Sequence, residues 1–255
     1  MTKNQLLALK EILDAKVNEY NRPSFFIETD PIQLPHRFDA KEDIEIVGLL
    51  VSTIAWGNRK SILRSGERML EIMEHQPQQF LSNYNPQQLQ NSTFVHRTFN
   101  AHDLDFFFRG LQHCYATGGL EHSFAVHEKI PGAMGRILSF REKMFAVEHE
   151  KRSEKHISNP LTGSAAKRLN MFLRWMVRND AIGVDFGIWN SISPSELLLP
   201  LDVHTATISR KLGILQRTKN DGMALEEIMQ TLRKLDENDP VKYDFALFGL
   251  GAFSD

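Results

Sequence analysis

Apolar residues recur at three- and four-residue spacing along most of the chain, which is the pattern of amphipathic helices. The clearest examples are residues 4–20, 61–74, 100–117, 133–150 and 224–235. Residues 41–56 become almost wholly apolar after an acidic start, and a helix that is apolar on all sides is buried. A last helix, residues 241–253, follows Pro240. Because no two segments show the alternation of paired strands, the sequence predicts an all-α fold.

An unusual helix start lies at residues 159–170, NPLTGSAAKRLN. Pro160 and Gly163 mark a turn, and Ser164 is a good N-cap for a helix that begins at the next residue. Lys167 then lies in the first turn, where a cation faces the positive end of the helix dipole. That field, with any burial, lowers the pKa of an amine and makes it a better nucleophile. The simpler interpretation is a surface lysine whose charge reaches water.

A second helix start lies at residues 199–205, LPLDVHT. We expect Asp202 to cap a short helix that has basic residues in its last turn and ends at Gly213. Capping alone would explain this aspartate. A loop-like connection, residues 179–195, separates it from the first start. We nevertheless expect the fold to bring Lys167 and Asp202 together in one cleft.

The two starts combine into the pattern Leu-x-Gly-x-x-x-Lys-x-x-Asn at residues 161–170, followed by Asp-x-His at residues 202–204. This pattern resembles the helix-hairpin-helix DNA glycosylase superfamily, that of endonuclease III and the 8-oxoguanine glycosylases. Within or near that superfamily, the chain looks most similar to an uncharacterised bacterial family. The resemblance covers residues 41–75 and the chain from residue 159 onward, whereas residues 76–158 match only in helix count.

The resemblance implies one all-α unit over residues 1–255, made of two interleaved lobes with a cleft between them, and a hairpin and catalytic region at residues 159–213. It implies a base-excision repair glycosylase with abasic-site lyase activity, which acts on a damaged base such as an oxidised purine. Lys167 would attack the sugar C1′ of a flipped nucleotide and form a Schiff base. Asp202 would stabilise the developing positive charge and assist proton transfer. Double-stranded DNA is the implied partner, and a monomer is the implied state.

The resemblance also assigns residues that hold the DNA backbone. Gly163, Ser164 and Ala165 would present hairpin amides to a phosphate, with Arg168 beside them. A monovalent cation at the hairpin would complete this contact. Ala165 stands where the superfamily has a second glycine, and the connection between Lys167 and Asp202 is longer than in endonuclease III.

Four further residues are assigned to the duplex and the flipped base. The polar turn after the first buried helix would reach the minor groove, with Asn58 and Arg59 as DNA contacts. Trp56 and His204 are the candidates for the base pocket or for the wedge that fills the gap left by the flipped base. For Trp56, a packing aromatic is the simpler interpretation.

The charge distribution adds a candidate nucleic-acid surface. A formal net charge of −2 excludes a histone-like polycation. Between residues 136 and 178, however, ten Lys or Arg stand against four Glu. A basic face beside the proposed site would suit a phosphate backbone, although most such runs are solvated helix faces.

Cysteine content and hydropathy exclude other classes of protein. Cys114 is the single cysteine, so the chain cannot hold the four-cysteine iron–sulfur cluster of endonuclease III-like members. We expect no cofactor and no metal at the catalytic pair. The longest apolar stretch, residues 44–56, is too short to span a membrane, and no signal peptide is visible. A cytoplasmic protein with no membrane partner is the expectation.

Two alternatives remain open at this stage. A non-catalytic helix-hairpin-helix protein would still hold phosphate at the hairpin, and the alanine at position 165 favours it. A metal-dependent phosphohydrolase is suggested by ten histidines and by His102-Asp103 at a helix start. His122 and His127 do not share a helix face, and no His-Glu-x-x-His run exists, so His102 and Asp103 are more simply a helix cap.

Overall fold

The computed structural model describes residues 1–253 of the chain, so that Ser254 and Asp255 of the predicted unit lie outside the described residues. Its α-helices are α1 (Lys3–Tyr20), α2 (Pro23–Phe26), α3 (Lys41–Thr53), α4 (Arg59–Ile72), α5 (Pro77–Asn83), α6 (Ala101–Ala116), α7 (Leu120–Ser123), α8 (Gly132–Met144), α9 (Lys167–Val177), α10 (Val203–Lys211), α11 (Gly222–Leu235) and α12 (Tyr243–Ala252). Strands β1 (Val95–His96) and β2 (Phe99–Asn100) form one antiparallel hairpin. Short 3-10 helices lie at Pro31–Gln33, Pro35–Arg37, Pro86–Leu89, Lys151–His156, Pro160–Thr162, Pro194–Glu196 and Pro240–Lys242. The predicted all-α fold class is confirmed.

The chain divides into two compact units. One comprises Met1–Glu28 together with the chain from Pro160 onward, and we call it the terminal unit. The other, Thr29–Asn159, is the central unit. The terminal unit is therefore discontinuous in sequence.

In residues 1–253, no helix is both long and apolar enough to cross a membrane.

The terminal unit is built around α12, which packs against α1 and α10. Tyr243, Phe245 and Leu247 on α12 are completely buried. Gly249 is required on this helix, because a Cβ atom there would lie 2.3 Å from the ring of Tyr20 on α1. Close contact between α1 and α12 thus joins the two separate segments of this unit.

Buried ion pairs fix the connection between α9 and α10. Arg174 Nε lies 3.1 Å from Asp185, and its guanidinium also pairs closely with Asp244 of α12. Arg178 pairs with Asp185 at 3.2 Å and with Asp239 at 2.9 Å. The connection predicted as loop-like has no regular helix up to Pro194, as expected, but Asp185 anchors it in the interior.

The central unit is built around α3, in which every residue from Ile44 to Thr53 is buried. Three consecutive phenylalanines of α6, Phe106, Phe107 and Phe108, are also buried, and α6 packs against α8. The continuous apolar pattern of residues 41–56 therefore predicted a core helix correctly, although the helix ends at Thr53.

Several local predictions differ from the structure. The helix predicted over residues 133–150 ends at Met144, where Phe145 turns and stacks on His149 at 4.8 Å. Residues 151–156, which are mostly charged, form a 3-10 helix in which Ser153 and His156 are buried. The β1–β2 hairpin was not predicted, because its two turn residues are neither glycine nor asparagine.

The predicted basic face is wrong for part of its sequence. Arg136, Arg174 and Arg178 are buried. Arg136 donates to the carbonyl of Phe124 at 3.1 Å, and the other two belong to the ion-pair network. A run of basic residues in sequence therefore does not amount to an exposed basic surface here.

Candidate active site

A tight turn precedes α9 at the position predicted for the hairpin. Gly163 has a φ of +80°, a backbone conformation that glycine adopts without steric penalty. Its amide donates to the carbonyl of Pro160 at 3.0 Å, and its carbonyl accepts from the amide of Gly222 at 2.8 Å. The segment before this turn is the 3-10 helix Pro160–Thr162 and not a regular α-helix. The turn is thus fixed to the start of α11.

The start of α9 lies two residues later than predicted. Ser164 is not its N-cap: the N-cap is Ala166, with φ of 47° and ψ of 38°, and Ser164 Oγ accepts from the amide of Ala166 at 3.1 Å. A left-handed conformation is uncommon for a residue with a Cβ atom and costs about 1–2 kcal/mol. The side-chain amide of Asn170 donates to the carbonyl of Ala165 at 2.9 Å. This bond holds the strained turn against the helix and makes Lys167 its first residue.

Asp202 is the N-cap of α10, as predicted. Its Oδ1 atom accepts from the amide of Thr205 at 2.8 Å. The approach, residues 197–201, is entirely buried, so the backbone that carries Asp202 is held on one side by the core. Gly213, with a φ of +71°, follows the end of the helix, also as predicted. The cap fixes one carboxylate oxygen and leaves the other to face a different group.

That other oxygen faces Lys167. The Nζ atom of Lys167 lies 3.7 Å from Oδ2 of Asp202. The lysine side chain is 37% exposed and the aspartate side chain 13% exposed, so the pair is open to a reactant on the lysine side. The expected proximity of Lys167 and Asp202 is confirmed, whereas the cleft around them stays a prediction. An amine and a carboxylate at this separation can divide nucleophilic attack and proton transfer between them.

A comparison with known families identifies the family of this chain. A family model described as "Protein of unknown function (DUF2400)" matches residues 30–253. The chain belongs to this family. No curated protein and no solved structure matches the chain. The matched region of the DUF2400 chain contains Lys167 and Asp202, so the pair is part of the family domain.

His204 of this DUF2400 chain is exposed and attached to the last helix. Its Nδ1 atom lies 2.8 Å from the carbonyl oxygen of Gly251, and its ring meets that of Phe248 edge-on at 5.8 Å. A Cβ atom at position 251 would lie 2.8 Å from the Cβ atom of His204, so the close approach requires glycine. His204 therefore connects the start of α10 to the end of α12. Its assignment to the base pocket stays a prediction.

A buried carboxyl group lies behind the pair. Burial is the main cause that raises the pKa of Asp244 on α12 to about 6; Arg174 opposes this rise, and the negative charge of Asp202 adds to it. Burial also raises the pKa of Asp185, which shares Arg174 with Asp244. The negative potential around Asp202 therefore depends on how Asp244 is protonated.

Of the hairpin residues assigned to the DNA backbone, Gly163 is exposed, Ser164 is partly exposed and Ala165 is buried. The amides of Ser164 and Ala165 donate no hydrogen bond within residues 1–253. Arg168 is half-buried, and burial lowers the pKa of its guanidinium to about 10, so it remains a cation at neutral pH. The turn thus carries two amides that have no acceptor within residues 1–253, and a half-buried cation lies in the next turn of the chain.

The remaining assigned residues belong to the central unit. Trp56 is half-buried, stacks on His156 at 6.1 Å and meets His96 edge-on at 5.1 Å, as the packing interpretation expects. Asn58 is the N-cap of α4 and accepts from the amide of Ser61 at 3.3 Å. Arg59 lies 3.9 Å from Asp30. Their assignment to DNA contacts or the base pocket stays a prediction.

Sequence reasoning missed a buried polar cluster beneath Trp56. Asp103 is completely buried, and its carboxylate lies 3.3 Å from His156 Nε2, 2.6 Å from Ser153 Oγ and 2.8 Å from Arg152. Asp103 also completes the capping box of α6 with Asn100. The cap predicted at His102 and Asp103 is only partly right, because the N-cap is Asn100 and the side chain of Asp103 completes the box from the first turn. Nothing in the sequence signals the second role of Asp103.

The side chains that suggested a metal site make other contacts. Within the described part of the chain, no group of three or more His, Cys, Asp or Glu side chains is arranged to hold a metal ion. Asp103 is engaged by Arg152 and His156, and His127 lies 3.5 Å from Glu142. These contacts account for two of the residues that suggested a phosphohydrolase.

Proposed function

We propose that this protein is a DNA glycosylase with abasic-site lyase activity that acts on a damaged base, such as an oxidised purine, in duplex DNA. The proposal includes action as a monomer in the cytoplasm. The observation that carries it is the 3.7 Å separation of Lys167 Nζ from Asp202 Oδ2. Two residues assigned complementary roles by one sequence pattern, far apart in the chain, are neighbours in the fold. The partly exposed amine leaves room for a flipped nucleotide.

The chemistry uses one amine and one carboxylate. The Lys167 amine forms a bond to the sugar C1′ as the bond from C1′ to the base breaks, and the base leaves with the bonding electron pair and takes up a proton. Asp202 accepts a proton from the attacking nitrogen and faces the positive charge that develops at C1′. The sugar ring opens to a Schiff base. Loss of a proton from C2′ then expels the 3′ phosphate, and water releases the lysine.

The hairpin supplies the phosphate contact in this proposal. The amides of Ser164 and Ala165 donate to no acceptor in residues 1–253, and Gly163 is exposed beside them. Backbone amides at the start of a helix bind phosphate oxygens well. The contact would place the sugar of the nucleotide next to Lys167, the first residue of α9. A monovalent cation at the turn would fit the same role.

Borohydride trapping tests the chemistry directly. The purified protein is incubated with duplexes that carry 8-oxoguanine, an abasic site or no lesion, and borohydride reduces any Schiff base to a stable amine. We expect a covalent adduct with a damaged duplex and none with Lys167→Ala. Lys219→Ala removes an exposed lysine and is the matched control, which should form the adduct at the normal rate. A normal adduct yield from Lys167→Ala would refute the proposal.

The Asp202→Asn variant separates chemistry from folding. Asparagine caps helices nearly as well as aspartate, so α10 should keep its start. The variant lacks the carboxylate that accepts the proton, and we expect adduct formation to slow roughly 10²- to 10⁴-fold. An unchanged rate would remove Asp202 from the mechanism.

A second candidate function is non-catalytic DNA binding through the same turn. The free amides of Ser164 and Ala165 favour it, since they would bind phosphate whether or not Lys167 reacts. This function predicts salt-dependent duplex binding with no adduct on any duplex. Lys167→Ala would then weaken binding by no more than one phosphate contact.

A further inference from the structure

The β1–β2 hairpin lies along α4 in the central unit. Near one end, Arg68 donates to the carbonyl of Thr93 at 3.4 Å and covers the ring of Phe94 at 5.5 Å. Closer to the start of α4, Ser65 Oγ lies 2.9 Å from His96 Nδ1. These contacts fix residues 93–96 to one side of the helix.

The turn of the hairpin places Arg97 at the start of α4. Arg97 is exposed and has a φ of +53°. Its guanidinium covers Gly57, where a Cβ atom would lie 2.7 Å from Arg97 Cζ. The carbonyl of Thr98 accepts from Arg152 at 2.9 Å, and Arg152 is held by Asp103. The turn that carries Arg97 is therefore attached to a buried anchor.

Two further cations lie on the first turns of α4. Lys60 and Arg64 are exposed and four residues apart, so they share a helix face and are about 6 Å apart along the axis. We call Lys60, Arg64 and Arg97 the basic ridge. None of the three forms an ion pair with another residue in the range 1–253.

The carboxylates nearby do not neutralise the ridge. Glu67 lies on the same side of α4, but Arg37 binds both of its oxygens at 2.8 and 2.5 Å. Glu71 lies nearly two turns beyond Arg64, in the last turn of the helix. Arg59, next to the ridge, is matched by Asp30. Three positive charges therefore remain in surplus, contributed by two elements whose relative position is fixed.

We propose that the basic ridge is a second phosphate-binding surface, through which the central unit holds the backbone of duplex DNA. This inference rests on the proposed function, which supplies the duplex. Surplus cations are often simply solvated, but two on one face of a helix and a third on an anchored turn beside the start of that helix create the local positive potential that a polyanion recognises. Contacts to phosphate carry no information about base sequence, so the ridge would contribute to the affinity for the duplex and to the orientation of the protein on it.

Neutralising the ridge is the direct test. The triple variant Lys60→Gln, Arg64→Gln, Arg97→Gln is compared with wild type for binding to an undamaged duplex between 50 and 300 mM salt. We expect affinity to fall roughly 10- to 100-fold at 100 mM salt, and the slope of log affinity against log salt to decrease by about 2–3. The control triple Lys3→Gln, Lys129→Gln, Lys234→Gln removes the same charge from exposed lysines and should change both quantities far less.

A charge reversal excludes unfolding as the cause. Lys60 lies in the first turn of α4, where an acidic residue is favoured by the helix dipole. Lys60→Glu should therefore lower duplex affinity while the melting temperature stays the same or rises. Normal affinity and normal salt dependence in this variant and in the ridge triple would overturn the inference.

The outcomes for the ridge and for the proposed function are separable. At saturating duplex, the ridge triple should still form the borohydride adduct, because Lys167 is intact. Ridge-dependent binding with no adduct from wild type would refute the lyase and support the ridge. A Lys167-dependent adduct, together with duplex binding that does not depend on the ridge, would support the lyase and refute the ridge. Absence of duplex binding by wild type at 50 mM salt would overturn both.

Discussion

The carboxylate of Asp202 makes two contacts with different consequences: Oδ1 caps α10 through the amide of Thr205, and Oδ2 lies 3.7 Å from Lys167 Nζ. The first contact determines where the second oxygen points. The position of Lys167 is also fixed locally. It is the first residue of α9, and the side chain of Asn170 binds the carbonyl of Ala165 in the turn before it. The close pair of Lys167 and Asp202 is thus built from two helix starts, each fixed by its own local hydrogen bonds.

The double role of Asp202 predicts a difference between two substitutions. Asp202→Ala removes the cap and should lower the free energy of unfolding by about 1 kcal/mol. Asp202→Asn keeps the cap, and since the lysine partner is partly exposed, loss of the ion pair should cost less than about 1 kcal/mol. Urea denaturation measures both. Equal loss of stability in the two variants would show that the cap does not hold Asp202.

The left-handed residue before Lys167 predicts an unusual response to glycine. Ala166→Gly removes the steric penalty of a φ near +47° but also loses a buried methyl group worth about 0.8 kcal/mol. We expect a small gain in stability, about 0.5 kcal/mol. Ala165→Gly is the matched control, since this buried neighbour has an ordinary φ and should lose about 1 kcal/mol. Urea denaturation midpoints give the comparison.

The stabilities of Ala165→Gly and Ala166→Gly show which position in the turn favours glycine. If Ala165→Gly were the more stable of the pair, the positive φ at Ala166 would be wrong. The expected order would also bear on the superfamily pattern. The resemblance would place the second glycine of that pattern at position 165, but the positive φ values in this chain fall at Gly163 and Ala166. The alanine at position 165 is therefore compatible with the turn.

The sequence predicted the helix starts near Lys167 and Asp202, to within two residues for α9, because their signals are local. Pro160, Gly163 and the cap at Asp202 act within a few residues, and each is legible without knowledge of the rest of the fold. The left-handed Ala166 was not predictable in this way, because glycine or asparagine normally marks such a position. It is held by Asn170 one turn later, a contact that residue type alone does not reveal.

The burial of Arg174 and Arg178 was beyond sequence reasoning for a different reason. Their partners come from the connection after α9, which supplies Asp185, and from the region of α12, which supplies Asp239 and Asp244. Only the tertiary fold brings these segments to one place. A count of charges along residues 136–178 therefore indicated an exposed basic face, although Arg136, Arg174 and Arg178 are buried.

Asp244 predicts that stability depends on pH. Its pKa is raised from 3.8 to about 6, chiefly by burial, so the folded state favours the protonated form. The contribution of this group is fully present below pH 4 and is lost as pH rises through about 6. Asp244→Asn mimics the protonated form. Relative to wild type, the free energy of unfolding of this variant should therefore increase between pH 4.5 and pH 7.5, by on the order of 2 kcal/mol.

Urea denaturation at the two pH values measures this difference. Asp39→Asn changes an exposed carboxyl group and should give no pH-dependent difference from wild type. If Asp244→Asn lost stability relative to wild type as pH rose, the ion pair with Arg174 would outweigh burial, and the pKa of Asp244 would be lowered instead of raised.

Asp103 predicts the opposite pH dependence in the central unit. Burial alone would raise the pKa of its carboxyl group, but hydrogen bonds from His156, Ser153 and the amide of Asn100 lower the pKa well below 3.8. The folded state therefore favours the ionised form. The contribution of Asp103 is present above pH 4 and is lost as pH falls through the lowered pKa.

Replacing Asp103 by asparagine tests this anchor. At pH 7 the variant leaves the buried His156 without its carboxylate partner, and we expect it to lose about 3–5 kcal/mol of unfolding free energy, measured by urea denaturation. The difference in unfolding free energy between Asp103→Asn and wild type should be smaller at pH 3, because wild type begins to lose the contribution of Asp103 there. The control Asp39→Asn should stay close to wild type at pH 7 and at pH 3. Because Asp103 also holds Arg152, which fixes the turn beside Arg97, the folded variant should bind duplex DNA with a weaker salt dependence. A loss of stability with unchanged salt dependence would show that the ridge does not need this anchor.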